Sequence, residues 1–291
     1  MHHAHHAGFE SLWVSVPLIL AALIYVRGWV RVRRLDLDTI ESLRGTSFVL
    51  GVFFIWLAAA SPIASLDHKL LTVHMVQHLL LMTVAPPLIW FGGPMKPLLQ
   101  GLPQGFGNVM SHFFRSSPMR RLGRAIAHPV VCWLAAAGTL VGWHVPSLFA
   151  LGMRSELWHT IEQVSFLASG LLFWRPVMKP GPGGSEWPIL LYLFLATLPC
   201  DILSGFLVFC DRVVYPAYFS SARLIGLSAL EDQQCAGALM WTCVTIVYLV
   251  AGSIVAARLL SPQSLRQHRD ANAHPVLGAA PQMTPQNAEA V

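Results

Sequence analysis

The densest chemistry in this sequence is His74-Met75-Val76-Gln77-His78. Residues i and i+4 share one face of a helix, so two imidazoles one turn apart can bind one metal ion. The same pair could instead hydrogen-bond neighbouring helices. Two more histidines sit in aromatic surroundings: His144 in Gly142-Trp143-His144-Val145-Pro146, and His159 in Leu157-Trp158-His159-Thr160-Ile161-Glu162. Taken singly, each is an ordinary polar residue beside an interfacial Trp. The short stretch 147–156 between them makes their helices adjacent and antiparallel, which brings both to one depth. Four imidazoles on three helices then describe a metal site, with His74 and His78 as its base and His144 or His159 completing it. Pro146 is expected to kink the chain beside His144 and keep one side of the site accessible.

Further donors are fewer. Asp232, in Glu231-Asp232-Gln233-Gln234, is either the N-cap of its own helix or a carboxylate that orients a ligating histidine. Met240 lies just over two turns further along, as packing or as a thioether ligand. Asp201 and Glu162 are acids inside apolar runs, where a polar pair or a proton or metal pathway would account for them. Cys200, Cys210 and Cys235 lack CxxC spacing, and no HExxH or nucleophile–base arrangement occurs, which points away from an enzyme. Imidazoles with a thioether suit copper. Zinc would accept the same ligands, and haem would need two histidines on facing helices.

These side chains must be positioned by elements that live in lipid. The chain has 291 residues, 55% apolar and 11% charged, with a mean hydropathy of +0.56; a soluble domain carries about 25% charged residues. That charge deficit excludes a soluble fold, a disordered chain, a coiled coil and a nucleic-acid binder. A span needs roughly 17–25 mostly apolar residues. Seven runs qualify: 11–30, 43–60, 69–91, 129–146, 157–174, 187–210 and 233–258. Strand alternation is absent, so the expected fold is all-α, a polytopic bundle of seven transmembrane helices over 11–260. A His-rich tail (1–10, with His2, His3, His5 and His6) precedes it. A polar tail (261–291) follows it and reads as disordered.

Lys and Arg orient the bundle. With the N-terminus outside, the inner segments hold 15 of the 19 basic side chains, and the outer side keeps Lys69, Arg154, Arg212 and Arg223. The formal charge of +5 is then a consequence of topology. Nine of the 13 histidines fall on the opposite, outer half, which locates the expected metal site. No cleavable signal peptide is expected in the first span.

The segment His74 to Met82, followed by Ala85-Pro86-Pro87 and Gly92-Gly93-Pro94, resembles the CtaG family of cytochrome oxidase assembly proteins associated with caa3 oxidases. Trp143-His144-Val145-Pro146, the stretch from His159 to Phe173-Trp174, and the block from Tyr215-Pro216 through Asp232-Gln233-Gln234 to Met240-Trp241 are similar too, so the likeness runs over 45–260. It implies a seven-helix protein of the bacterial cytoplasmic membrane that helps assemble haem-copper cytochrome c oxidase. The expected cargo is copper, held at an outward-facing site of His74, His78, His144 and His159 with Asp232 and Met240. The expected partners are oxidase subunits, a periplasmic copper donor and membrane lipid. The rival readings are a haem-binding electron carrier, a copper or proton transporter, and an oxidase chaperone without metal.

Overall fold

The computed structural model describes residues 2–33, 39–179, 187–219 and 226–261, and the polar C-terminal tail lies outside them. Every regular element among the described residues is helical. The chain runs α1 (His2–Arg33), α2 (Thr39–Ala59), α3 (Leu71–Leu79), α4 (Ala85–Phe91), α5 (Met95–Gly101), α6 (Gln104–Arg115), α7 (Ser117–Ile126), α8 (Pro129–His144), α9 (Pro146–Arg154), α10 (Glu156–Met178), α11 (Trp187–Phe209) and α12 (Ala229–Leu259). A helix thus occupies each of the seven apolar runs, and the His-rich start is the first turns of α1.

Among the described residues, five stretches are long and apolar enough to cross a membrane: Leu12–Val32, Ser42–Leu66, Leu71–Phe91, Trp187–Phe209 and Ala229–Leu259. This is the pattern of a multi-pass membrane protein. Helix α8 is only 16 residues long and reaches that length only together with α7, to which it is bent by 60°. Helix α10 has the length but carries Glu156, His159, Glu162, Gln163 and Arg175, which lower its hydropathy. Large apolar side chains such as Ile202, Phe206 and Phe209 face outward along α11, as lipid contact requires.

The centre of the bundle is a broken helix. Helix α3 passes through a π-helical turn, Leu80–Val84, into α4. The cause is Pro86-Pro87: neither residue has an N–H, so the Met82 and Thr83 carbonyls lose their partners. The Trp174 indole of α10 donates to the Met82 carbonyl at 3.1 Å and repairs one of them. Gly170 makes that approach possible, because a Cβ there would lie 2.7 Å from the same oxygen. Helix α10 therefore packs on the broken segment and on α8; α12 packs on α11 and α3, and α2 on α4. Helices α6 and α7 are short and amphipathic. Phe106, Val109 and Phe113 make one exposed apolar stripe, and Arg120, Arg121 and Arg124 a basic one.

The 147–156 connection is itself mostly helix, α9, with Pro146 at its first position. The chain turns at Val145, and α9 folds back over the bundle end, burying Phe149. An open side at His144 was expected from Pro146; instead His144 is buried at 5% exposure.

Candidate metal centre

Helix α3 starts without a side-chain cap of its own. The cap comes from α12: Asp232 accepts the Leu71 N–H at 2.7 Å, the Thr72 N–H at 3.2 Å and the Thr72 hydroxyl at 2.6 Å. A carboxylate at a helix N-terminus faces the positive end of the dipole. Asp232 is not the cap of its own helix, since Ser228 and Glu231 form a capping box there. Its oxygens face the first turn of α3, which fixes the rotation of the helix that bears His74 and His78.

Both histidines point inward, with His74 at 0% exposure and their rings 4.3 Å apart. Glu162 of α10 meets them. Its Oε1 lies 3.5 Å from His74 Nε2 and 3.5 Å from His78 Nε2, and its Oε2 lies 3.6 Å from His159 Nδ1. His159 comes from the same helix, one turn earlier. Its Nε2 lies 3.0 Å from Asp67 Oδ2 and 2.8 Å from Gln163 Nε2. Asp67 sits in the α2–α3 connection, outside the spans; burial works to raise its carboxyl, but the His159 bond and the neighbouring histidines hold it below the ordinary value. Among the described residues, two groups have ligand atoms close enough for one ion: His74, His78 and Glu162, and Asp67, His74 and His159.

The walls of this cluster are aromatic. Phe166 stacks on His78 at 3.9 Å, and Phe149 meets His74 edge-on at 5.1 Å. Tyr215 and Tyr218 close the end of the bundle, their hydroxyls donating to the His144 and Asp67 carbonyls at 3.0 and 2.8 Å. Gly152 of α9 lies against Glu162, where a Cβ would come within 2.8 Å of Oε2 and push the carboxylate aside.

Water is largely excluded, yet the donor atoms are unsatisfied. Both ring nitrogens of His74 and of His78, Nδ1 of His159 and Oε1 of Glu162 have no hydrogen-bond partner. Leaving one buried polar group unpaired costs about 1–3 kcal/mol; of these six, Nε2 of His74, Nε2 of His78 and Oε1 of Glu162 converge and call for a ligand that accepts lone pairs. One shared proton would satisfy a single N···O contact and leave the others. A cation bound by two imidazoles and a carboxylate satisfies those three atoms together.

Of the residues expected from the sequence, His74, His78 and His159 come together here. His144 lies apart, its ring 6.2 Å from that of His78, beside Met75. Met240 is buried at 3% exposure in the wall of the cavity below. Asp201 is half-buried in the α11–α12 groove with Thr197 and Thr245, and belongs to neither metal group. Sequence reasoning missed Asp67, which no motif marks, and missed Glu162 as a donor, although its i+3 spacing from His159 put both on one face. A chain of rings leads inward from the surface: His68, 52% exposed at its side chain, lies 5.4 Å from His159, which lies 5.7 Å from His74.

Uncharacterized proteins of three mycobacteria are similar to this chain. One from Mycobacterium leprae is 24% identical over 272 residues, 90% of this chain and 40% of its own length; one from Mycobacterium bovis is 25% identical over 254 residues, 80% of this chain and 36% of its own. The chain thus spans about two fifths of the length of these relatives. No solved structure matches it. The sequence pattern of the family described as cytochrome c oxidase caa3 assembly factor matches residues 23–261, a range that takes in every residue of the buried cluster, and the chain belongs to that family.

Proposed function

We propose that this protein takes up copper at the outer face of the bacterial cytoplasmic membrane, holds it at His74, His78 and Glu162, and passes it to a docked subunit of cytochrome c oxidase. Family membership supports the oxidase assembly role. The buried, unpaired and convergent Nε2 of His74, Nε2 of His78 and Oε1 of Glu162 are the observation that carries the copper reading. Two imidazoles and a carboxylate also suit zinc or iron; the family's client, a haem-copper oxidase, selects copper. The role is non-enzymatic: the ion is cargo.

Uptake and release follow from ligand exchange. His68 meets incoming copper, His159 and Asp67 receive it, and His74 with Glu162 draw it inward. Each transfer moves the ion between rings 4.3 to 5.7 Å apart, so new bonds form before old ones are lost. The docking partner would approach the end capped by α9, Tyr215 and Tyr218. A periplasmic copper donor would use the same end. The haem reading is disfavoured by size, since the cavity beside His78 and His144 measures about 40 Å³, well below a macrocycle.

The membrane arrangement that fits is seven spans, with the N-terminus outside. In that frame α8 and α10 are the remaining two spans, α8 short because the chain turns at Val145 and α10 polar because it bears His159 and Glu162. Helices α6 and α7 then lie at the cytoplasmic surface, with their apolar stripe in the membrane and Arg120, Arg121 and Arg124 towards anionic headgroups.

The test is genetic. Cells lacking the gene, or carrying His78→Ala, should contain oxidase polypeptides but little oxidase activity under copper limitation, and added copper should partly restore it. Normal activity in the deletion strain under those conditions would refute the assembly role.

A further inference from the structure

Below the His74–His78–Glu162 cluster lies a second, chemically different environment. It is a cavity of about 40 Å³ walled by Met75, Met82, Met240, Cys200, His78 and His144 among apolar side chains. Met75, His78 and Met82 come from the α3 helix and its π turn, at spacings of three and four, and present one face to the cavity. Met75, Met240 and Cys200 are all 3% exposed or less.

His144 shows what this cavity is for. Its Nδ1 lies 2.7 Å from the Leu140 carbonyl. A carbonyl only accepts, so Nδ1 carries the proton. A neutral imidazole has one N–H, so Nε2 presents a lone pair. Nε2 lies 3.3 Å from the Met75 sulfur, and a thioether is also an acceptor. Two lone pairs therefore face each other in a buried place, with no hydrogen between them. A cation bound to both removes the conflict. At bond lengths of about 2.0 Å to nitrogen and about 2.3 Å to sulfur, atoms 3.3 Å apart subtend about 100° at the ion, close to the tetrahedral angle.

We propose that His144 and Met75 are the nucleus of a second metal site, selective for a soft monovalent ion, with Met240 and Cys200 as further donors. Thioethers and thiols favour Cu(I), whereas the carboxylate of Glu162 favours harder ions. The inference deepens the copper reading above and rests on it for the identity of the cargo. His78 belongs to both environments: its Nε2 is 3.5 Å from Glu162, and its ring forms part of the cavity wall. It is the residue through which an ion would move from the nitrogen–oxygen site to the sulfur site. The volume admits one ion and a water-sized ligand.

The experiment uses the purified full-length protein and Ag(I), a soft monovalent ion that does not change oxidation state under the conditions of the assay. X-ray absorption of the Ag(I)-loaded protein should show sulfur in its first shell. Met75→Leu and Met240→Leu, which nearly conserve volume, should each weaken Ag(I) binding about tenfold or more while leaving Cu(II) bound. Glu162→Gln should do the reverse. If Met75→Leu does not fold, the wild-type sulfur shell and Met240→Leu decide. A first shell without sulfur, or Ag(I) affinity unchanged in Met75→Leu, would overturn the second site whatever Cu(II) does. Sulfur-bound Ag(I) in a protein that takes up no Cu(II) would instead sink the nitrogen–oxygen site and leave this one standing.

Discussion

Asp232 caps a helix that is not its own: its carboxylate accepts the Leu71 N–H at 2.7 Å, across 161 residues of sequence. The bond ties the start of α3 to α12, and so sets where His74 and His78 point one and two turns later.

Asp232→Ala should therefore act on stability first and on metal second. It leaves the buried Leu71 N–H and the Thr72 groups without an acceptor, a loss of about 1–3 kcal/mol. Asp232→Asn keeps one acceptor oxygen and should cost less. Thermal unfolding in detergent, with a copper titration alongside, checks the order. A titration that collapses in Asp232→Asn while the unfolding midpoint stays put would instead make Asp232 a ligand.

The Trp174 indole is the partner of a carbonyl that Pro86 leaves open. Trp174→Phe keeps most of the packing and removes the donor, so it should destabilise by about 1–3 kcal/mol. Gly170→Ala should be worse, because its Cβ meets backbone rather than a movable side chain. Expression level and unfolding midpoint measure both; a neutral Gly170→Ala would mean the α10 contact is looser than the geometry implies.

The seven-span arrangement predicts that reporter domains fused after residue 100 and at the C-terminus both face the cytoplasm. The motive is the Lys and Arg bias, 15 of 19 on one side. A periplasmic signal from either fusion would mean that α8 or α10 does not cross.

Much of the site was legible because its helical parts follow a short period. The i, i+4 spacing of His74 and His78 alone placed two imidazoles on one face, and the Trp-flanked histidines marked two neighbouring helices. The helical class followed from charge deficit and run length. What the sequence hid was pairing between elements. Asp67 lies in an irregular connection with no periodicity to read. Glu162 looked like one of two isolated membrane acids, because nothing local says that α10 turns that face to α3. His159 joins the cluster through Asp67 and Glu162, whereas His144 lies beside Met75, 6.2 Å from the ring of His78. The absence of an open side at His144 comes from α9 folding back at Val145, since a proline that ends one helix also started the next.

Copper bound at His74, His78 and Glu162 is the state on which uptake and delivery both depend. Metal analysis of the purified full-length protein, anaerobic and aerobic, tests it most directly, with wild type, His74→Ala/His78→Ala and Glu162→Gln measured side by side after copper loading and removal of unbound ion. The wild type should retain Cu(II) coordinated by nitrogen and oxygen, the double variant should lose it, and Glu162→Gln should hold it about tenfold or more weakly, all three remaining folded. Cu(II) retained in full by the folded double variant would contradict the account.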